Sequence, residues 1–326
     1  MSEKRINWGE VANIAMKEAE NYYEKQGDAM TLRGLFYVLV SKNVIPNTKT
    51  AYKTLSETLA KLRYAGKFPP HLLKDVTRVS DYLEQSEYYA KELSEEELKK
   101  EIDHLIDRLS KYSINPWSDQ KHRVLIALEK EALFDITKSW IKDLTVDGIE
   151  IGIYQLKCLK GFDSATDIIT LARILKALTK DGYTPVVLII SDFDPSGEEI
   201  VRDFQNRLSS LSGVKFISEK ILVTFDQIRK FNLPSAPETA EEVEKLRRDP
   251  RYKKFVEQYG LVRVESDAMF SIIPEATKEI IHQAILKYFD MNIFNEKTKK
   301  RMEEARSKSD EAKKKMKERI EKMLKG

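Results

Sequence analysis

The sequence predicts an α/β protein in which an N-terminal helical module precedes a parallel sheet with helices on both faces, and a polar helix closes the chain. Three observations predict it. Up to about residue 115 the apolar side chains recur at helical spacing. After Asn115-Pro116-Trp117 the period changes. Val124-Leu125-Ile126-Ala127-Leu128 and Val186-Val187-Leu188-Ile189-Ile190 are continuous apolar runs, the mark of strands buried on both faces, and helix-like stretches separate them. From Glu296 onward nearly every residue is Lys, Arg, Glu, Ala or Met. The expected segments are therefore 1–115, 116–293 and 294–326.

Within the first segment, Trp8 to Tyr23 reads as a helix, and Thr31 is placed to cap a second one over Leu32–Lys42. Pro46-Asn47-Thr48 forms a turn before a third helix from Lys49 to Ala65, which Gly66 and Pro69-Pro70 end. Two short helices joined by a tight turn and followed by an extended stretch fit a winged-helix or related helix-turn-helix module. A plain helical bundle fits the same pattern. Ser86 to Leu109, rich in Glu and Lys, reads as a solvated connecting helix.

Beyond residue 115 the expected order is strand Val124–Leu128, helix Ala132–Asp143, strand Ile149–Leu156, helix Ala165–Leu178 and strand Val186–Ile190. Helix Glu198–Leu208 and strand Lys220–Thr224 follow, then an excursion loop from Pro234 to Pro250. A short strand at Val262–Val264 and helix Glu275–Tyr288 close the segment.

Composition narrows the function. Among 326 residues, 41% are hydrophobic, enough for real cores, and 33% are charged with a formal net charge of only +3. Affinity for a polyanion must then come from local clusters of Lys and Arg rather than a basic coat. One cysteine, Cys158, excludes an intramolecular disulfide and a multi-cysteine zinc site, and the four histidines are scattered. The N-terminal residues MSEKRINWGE lack an apolar leader core, and the longest apolar run, Leu35 to Val40, cannot cross a bilayer. A cytoplasmic protein with no membrane partner is expected.

The strongest local signal is Ser191-Asp192-Phe193-Asp194-Pro195-Ser196-Gly197 after the second apolar run. In extended chain Asp192 and Asp194 fall on one face, because the strand period is two. Pro195 stops the strand and Gly197 allows a tight entry into the next helix. Glu129 follows the first apolar run directly, so it also sits at a strand's carboxyl end, where open α/β sheets bind ligands. Three carboxylates so placed repel one another unless a cation neutralises them, and magnesium with its oxygen ligands suits them. Helix capping or pairing with Lys and Arg is the other reading. Glu265 and Asp267 are expected as surface or capping groups near this region, and Asp75 with Arg78 as a structural pair.

Met30-Thr31-Leu32-Arg33-Gly34-Leu35-Phe36-Tyr37-Val38 carries a second pattern. On a helix Arg33 and Tyr37, four residues apart, share a face. A guanidinium beside a phenol favours the phenolate and binds phosphate, which a tyrosine nucleophile requires. A Phe-Tyr pair in an amphipathic helix also serves as plain core.

Taken in order, Arg33-x-x-Phe36-Tyr37, an apolar strand ending in Glu129-Lys130, and Asp192-x-Asp194-Pro195-x-Gly197 resemble the A subunit of DNA topoisomerase VI and the related transesterase that makes meiotic double-strand breaks. The spacing is most similar to the stand-alone mini-A relatives, and the likeness runs from about residue 28 to 285. The resemblance implies a winged-helix domain followed by a TOPRIM (Rossmann-like) domain. It implies that Tyr37 is the nucleophile with Arg33 as its partner, and that Glu129, Asp192 and Asp194 are the magnesium ligands. Glu129 doubles as general acid/base. Tyr37 then attacks double-stranded DNA, forms a 5′-phosphotyrosyl bond and releases a 3′-hydroxyl. In that family the tyrosine of one subunit meets the metal site of the other, so a homodimer and a double-strand break are implied. A longer stretch before the tyrosine helps the A subunit dock an ATPase B subunit. Here Tyr37 comes early, and an ATPase B-like partner stays an open expectation. The stretch Lys160-Gly161-Phe162-Asp163 departs from the family pattern.

Lys49, Lys53, Lys61 and Arg63, with Lys67 just beyond, make the third helix the expected DNA-facing one, through phosphate contacts; ordinary surface charge is the alternative. The charged tail is either a solvated helix or an arm that touches DNA or a partner. Two other functional classes share these features: a TOPRIM nuclease using water as nucleophile, and a non-cleaving DNA-binding subunit.

Overall fold

The computed structural model describes residues 6–74, 95–110, 114–159, 165–237, 244, 250–260 and 262–324. Asp75, Arg78 and the 160–163 stretch lie outside them. In chain order the first elements are α1 (Trp8–Gln26), β1 (Met30–Thr31), α2 (Leu32–Ser41), α3 (Lys49–Tyr64), β2 (Leu73–Lys74) and α4 (Glu95–Ser110). Next come β3 (His122–Leu128), α5 (Phe134–Lys142), β4 (Thr145–Val146), β5 (Ile149–Glu150), β6 (Gln155–Cys158), α6 (Ala165–Lys180) and β7 (Thr184–Ile190). The remainder is α7 (Pro195–Ser212), β8 (Ile217–Leu222), α8 (Phe225–Phe231), α9 (Pro250–Tyr259), α10 (Ser266–Ile272), α11 (Pro274–Leu286) and α12 (Lys299–Leu324). No helix among the described residues is long and apolar enough to cross a membrane.

Packing divides the chain into two units, Met1–Thr77 with Lys121–Tyr288, and Arg78–Gln120 with Phe289–Gly326. These are not the segments 1–115, 116–293 and 294–326. The N-terminal helices and the sheet belong to one unit. The charged helices α4 and α12, far apart in sequence, belong to the other.

In the first unit, Thr31 caps α2 through its hydroxyl, which accepts from the Gly34 N–H, and Thr48 caps α3 in the same way at Ala51. The chain after Pro69-Pro70 returns as β2 and pairs parallel with β1, Met30 opposite Leu73. The main sheet has the order β6-β3-β7-β8, with every pair parallel. Val186 to Ile190 of β7 are completely buried, so this strand lies inside the sheet with helices over both faces. Each such side chain contributes roughly 1.5–3 kcal/mol over leaving it exposed, far more than any single residue's helix or strand propensity. Leu125, Ala127, Val187 and Ile189 pack with Leu171 and Leu175 of α6 and with Phe204 and Leu208 of α7. The alternate residues Val124, Ile126, Val186 and Leu188 face the other way. On that side α5 touches β6, α11 touches β8, and the two helices touch each other.

The strand order fixes where a ligand fits. From β3 the chain runs outward to β6, then crosses to β7 on the opposite side and continues to β8. The connections part between β3 and β7, and their carboxyl ends flank the crevice at this switch point.

Four elements differ from expectation. Ile149–Leu156 is not one strand. Asp147 and Gly148, both at positive φ, make a two-residue hairpin turn that pairs β5 back onto β4, and the sheet strand begins only at Gln155. The expected Lys220–Thr224 strand starts earlier and stops at Leu222, because Thr224 opens α8 with a capping box to Gln227. Helix α7 starts at Pro195 rather than Glu198, since Asp194 is its cap and proline suits a first helical turn. Val262–Val264 is no strand; only Val264 bridges, antiparallel, to Phe193.

In the second unit α4 packs on α12, burying Ile106 and Ala305, and Lys317 pairs with Asp103 at 2.6 Å. The tail helix is therefore not merely solvated. Trp117, Phe289 and Phe294 form a small aromatic core, with ring centroids 5.0 and 5.2 Å apart. Asp119 holds Arg301 through both its carboxylate oxygens, at 2.8 and 2.9 Å, and accepts from Thr298 at 2.9 Å.

Candidate functional site

The ladder between β3 and β7 continues one residue past the strand end, because the Glu129 N–H donates to the Ile190 carbonyl at 3.0 Å. This holds Glu129 at the mouth of the crevice. Its carboxylate accepts from the Asp192 N–H at 3.1 Å. Burial, then the charge of Asp192, push the Glu129 carboxyl above the usual range; the Asp192 N–H and Lys130 oppose this, and Asp194 raises it further. The three carboxylates expected to act together thus feel one another at Glu129.

Protein donors hold the two aspartates. Asp192 Oδ1 accepts from the Ser266 N–H at 2.8 Å and its hydroxyl at 2.7 Å, and Oδ2 lies 2.9 Å from Lys130 Nζ. Asp194 caps α7 through the Gly197 N–H at 2.6 Å, and its other oxygen is 3.7 Å from Arg263. Gly197 is required here, since a Cβ would stand 2.7 Å from the Asp192 carbonyl oxygen. Among the described residues no group of three or more His, Cys, Asp or Glu side chains is arranged to hold a metal ion.

Lys130 is the centre that sequence reasoning missed. Its ammonium lies 2.9 Å from Asp192, 2.7 Å from Asp267 and 3.5 Å from Glu265. Burial works against its charge, but Asp267, Asp192 and Glu265 outweigh this and hold the lysine well above its ordinary range. Glu265 also pairs with Arg33, and Asp267 accepts from the Thr31 hydroxyl at 2.7 Å. Asp267 is 3% exposed, so the expectation of surface or capping groups is corrected. The two acids, Asp267 buried and Glu265 half-buried, form a bridge from α2 to the sheet edge. The signal available was the spacing Glu265-x-Asp267 at a helix start, which reads as capping until the helix is seen against α2.

The bridge has a pH signature. Burial opposes ionisation of Asp267, but Lys130, Thr31 and Arg33 prevail and hold it below the usual carboxylate range. It therefore contributes stability that is present above the unfolded value and lost as pH falls through the depressed folded one. Glu265 is shifted the other way, by burial first, with Lys130 and Arg33 opposing. Glu129 and Glu265 add stability as pH falls through their raised values. Thermal melts at stepped pH are expected to hold or rise in mild acid and then drop. Asp267→Asn should remove much of the final drop at a cost of about 1–3 kcal/mol near neutrality; an unchanged acid limb would contradict this role.

Helix α2 carries Arg33 and Tyr37 as expected. Tyr37 is fully buried, and its hydroxyl has no hydrogen-bond partner among the described residues. Burial, reinforced by Glu265, pushes the phenol well above its ordinary range, while Arg33 and Lys130 pull it down. Arg33 does interact with the phenol, but its ion partner is Glu265, and its guanidinium lies 5.2 Å from the Tyr52 ring centre. Arg33, Tyr52, Lys130, Asp192, Glu265 and Asp267 line a cavity of about 470 Å³ that Tyr37 does not reach.

The α2–α10 contact is close because of Gly34, where a Cβ would meet Ser271 Oγ at 2.0 Å and its Cβ at 3.0 Å. Gly34→Ala is expected to destabilise the protein by about 1–3 kcal/mol through overpacking, despite alanine's better helix propensity. Chemical denaturation checks this, and a stability gain would show that the helices are free to part.

On α3, Ala51, Leu55 and Leu59 are buried, leaving Lys49, Lys53 and Lys61 exposed, with Lys67 exposed beyond and Arg63 half-buried. Tyr64, 94% exposed among these cations, was not anticipated; its aromatic ring offers a stacking surface that the charge pattern does not reveal. Compared with known proteins, the chain matches no family model, no curated protein and no solved structure.

Proposed function

We propose that this chain cleaves double-stranded DNA by tyrosine transesterification at a magnesium-dependent acidic edge, as a homodimer with the winged-helix and TOPRIM architecture of topoisomerase VI A-like proteins. The observation that carries the reading is the meeting of Glu129, Asp192 and Asp194 at the switch point, with Glu129 held above its usual range by burial and by the other two charges. Hard oxygen donors gathered at one strand edge would suit a small divalent cation. Glu129, Asp192 and Asp194 would hold it, and it supplies charge stabilisation on the phosphate oxygens. The Tyr37 phenolic oxygen forms a bond to phosphorus while the bond from phosphorus to the 3′-oxygen breaks. The phenolic proton passes to a base, the role this reading gives Glu129, and the departing 3′-oxygen takes up a proton. Arg33 steadies the phosphate charge. Lys49, Lys53, Lys61, Arg63 and Lys67 track the DNA backbone. An ATPase B-like partner belongs to the same reading.

A second reading, hydrolysis by water at the same edge, is favoured by the burial of Tyr37. Supercoiled plasmid separates active from inactive readings. Magnesium-dependent conversion to linear or nicked DNA, abolished by a chelator, is expected; no conversion in magnesium would overturn the proposal.

A further inference from the structure

We infer that Tyr64 is a stacking platform for an unpaired DNA base, set at the end of the cationic stripe of α3. The inference deepens the proposed function and rests on one part of it, that α3 faces DNA; it depends neither on cleavage nor on the acidic edge. Leu55 and Leu59 turn one side of α3 into the core. At the helical period the opposite side carries Lys49, Lys53, Glu57, Ala60, Lys61 and Tyr64, all exposed. Glu57 is the one acid on this stripe, so the lysines leave it positive. Lys67, just past Tyr64, adds a further exposed ammonium. Tyr64 is 94% exposed, whereas Tyr154, the next most exposed large hydrophobic side chain among the described residues, stands at 50%. Packing therefore does not explain the ring. The backbone keeps its surroundings open: α3 ends at Tyr64, the chain turns at Gly66 with φ +67°, and a Cβ placed there would meet nothing within 4 Å. Inside a duplex each base is covered by its neighbours above and below and offers only its edges to a protein. An unpaired base has a free face. Stacking that face on an aromatic side chain, beside cations that follow the phosphates, holds single strands without sequence preference. The lysines then supply attraction for any DNA, and Tyr64 supplies the preference for unpaired DNA.

Tyr64→Ala is the test, read by fluorescence anisotropy with labelled oligodeoxythymidylate and with a blunt duplex of the same length, in chelator so that cleavage cannot intervene. The substitution is expected to weaken single-strand binding about tenfold, the scale of losing one base–aromatic stack, and to leave duplex binding unchanged. Tyr64→Trp should restore the single-strand affinity. Lys53→Gln combined with Lys61→Gln should weaken binding of both probes and flatten its salt dependence. The exposure of these side chains lets every variant fold, which circular dichroism checks. Single-strand binding that is equal in Tyr64→Ala and the unaltered protein overturns the inference, and does so also where the substitution shifts sedimentation and thereby assigns the ring to a protein contact. An equal loss on both probes overturns the preference for unpaired bases. Binding of neither probe by the unaltered protein overturns the inference together with the DNA-facing role of α3, while plasmid conversion in magnesium scores cleavage separately.

Discussion

Asp192→Asn is expected to lose magnesium-dependent DNA cleavage by at least about 100-fold, the scale of removing one preorganised charge-stabilising group, while remaining folded. The asparagine carbonyl still accepts both bonds from Ser266, so the start of α10 keeps its partner. Lys130 loses one of three anions and retains Asp267 and Glu265. What disappears is charge at the crevice. Removing the Asp192 charge also lets the Glu129 carboxyl fall back toward its ordinary range. Plasmid cleavage rates, with circular dichroism as the fold control, check for loss of activity without loss of fold. Full activity in Asp192→Asn would remove the acidic edge from the mechanism.

Tyr37→Phe is expected to act in opposite directions on activity and stability. The substitution deletes one hydroxyl that is wholly buried and unpartnered among the described residues. A buried polar group left unsatisfied costs about 1–3 kcal/mol, so phenylalanine should leave the melting temperature unchanged or raise it. Cleavage by transesterification should fall by roughly 1,000-fold or more, as when a covalent nucleophile is removed. A residue that is only core would show the first effect without the second. The raised pKa of the phenol has its own consequence. In the conformation described, the phenolate is disfavoured by burial and by Glu265, so exposure of Tyr37 would have to precede the proposed attack.

The two long apolar runs made the sheet legible because burial on both faces leaves an uninterrupted pattern that no surface helix shares. Thr31 and Thr48 announced α2 and α3 because capping is local chemistry. The hairpin at Asp147-Gly148 was missed although its turn signal was present, since Ile149–Leu156 just beyond it was read as one strand and Thr145-Val146 before it as none. Glu129, Asp192 and Asp194 could be placed at strand ends from periodicity alone. Lys130, Glu265 and Asp267 could not be joined, because their meeting depends on α10 lying against α2, a contact between segments more than 200 residues apart. The pairing of α4 with α12 was hidden for the same reason. Charged helices read as solvated until a partner with a matching thin apolar face is found elsewhere in the chain.

Trapping the protein on DNA with denaturant in the presence of magnesium, followed by mass-spectrometric mapping of the nucleotide-bearing peptide, tests the central claim most directly. The account predicts a 5′-phosphotyrosyl adduct on Tyr37 that requires magnesium and disappears in Asp192→Asn. Cut DNA with protein-free 5′ ends, or an adduct on any other residue, would contradict it.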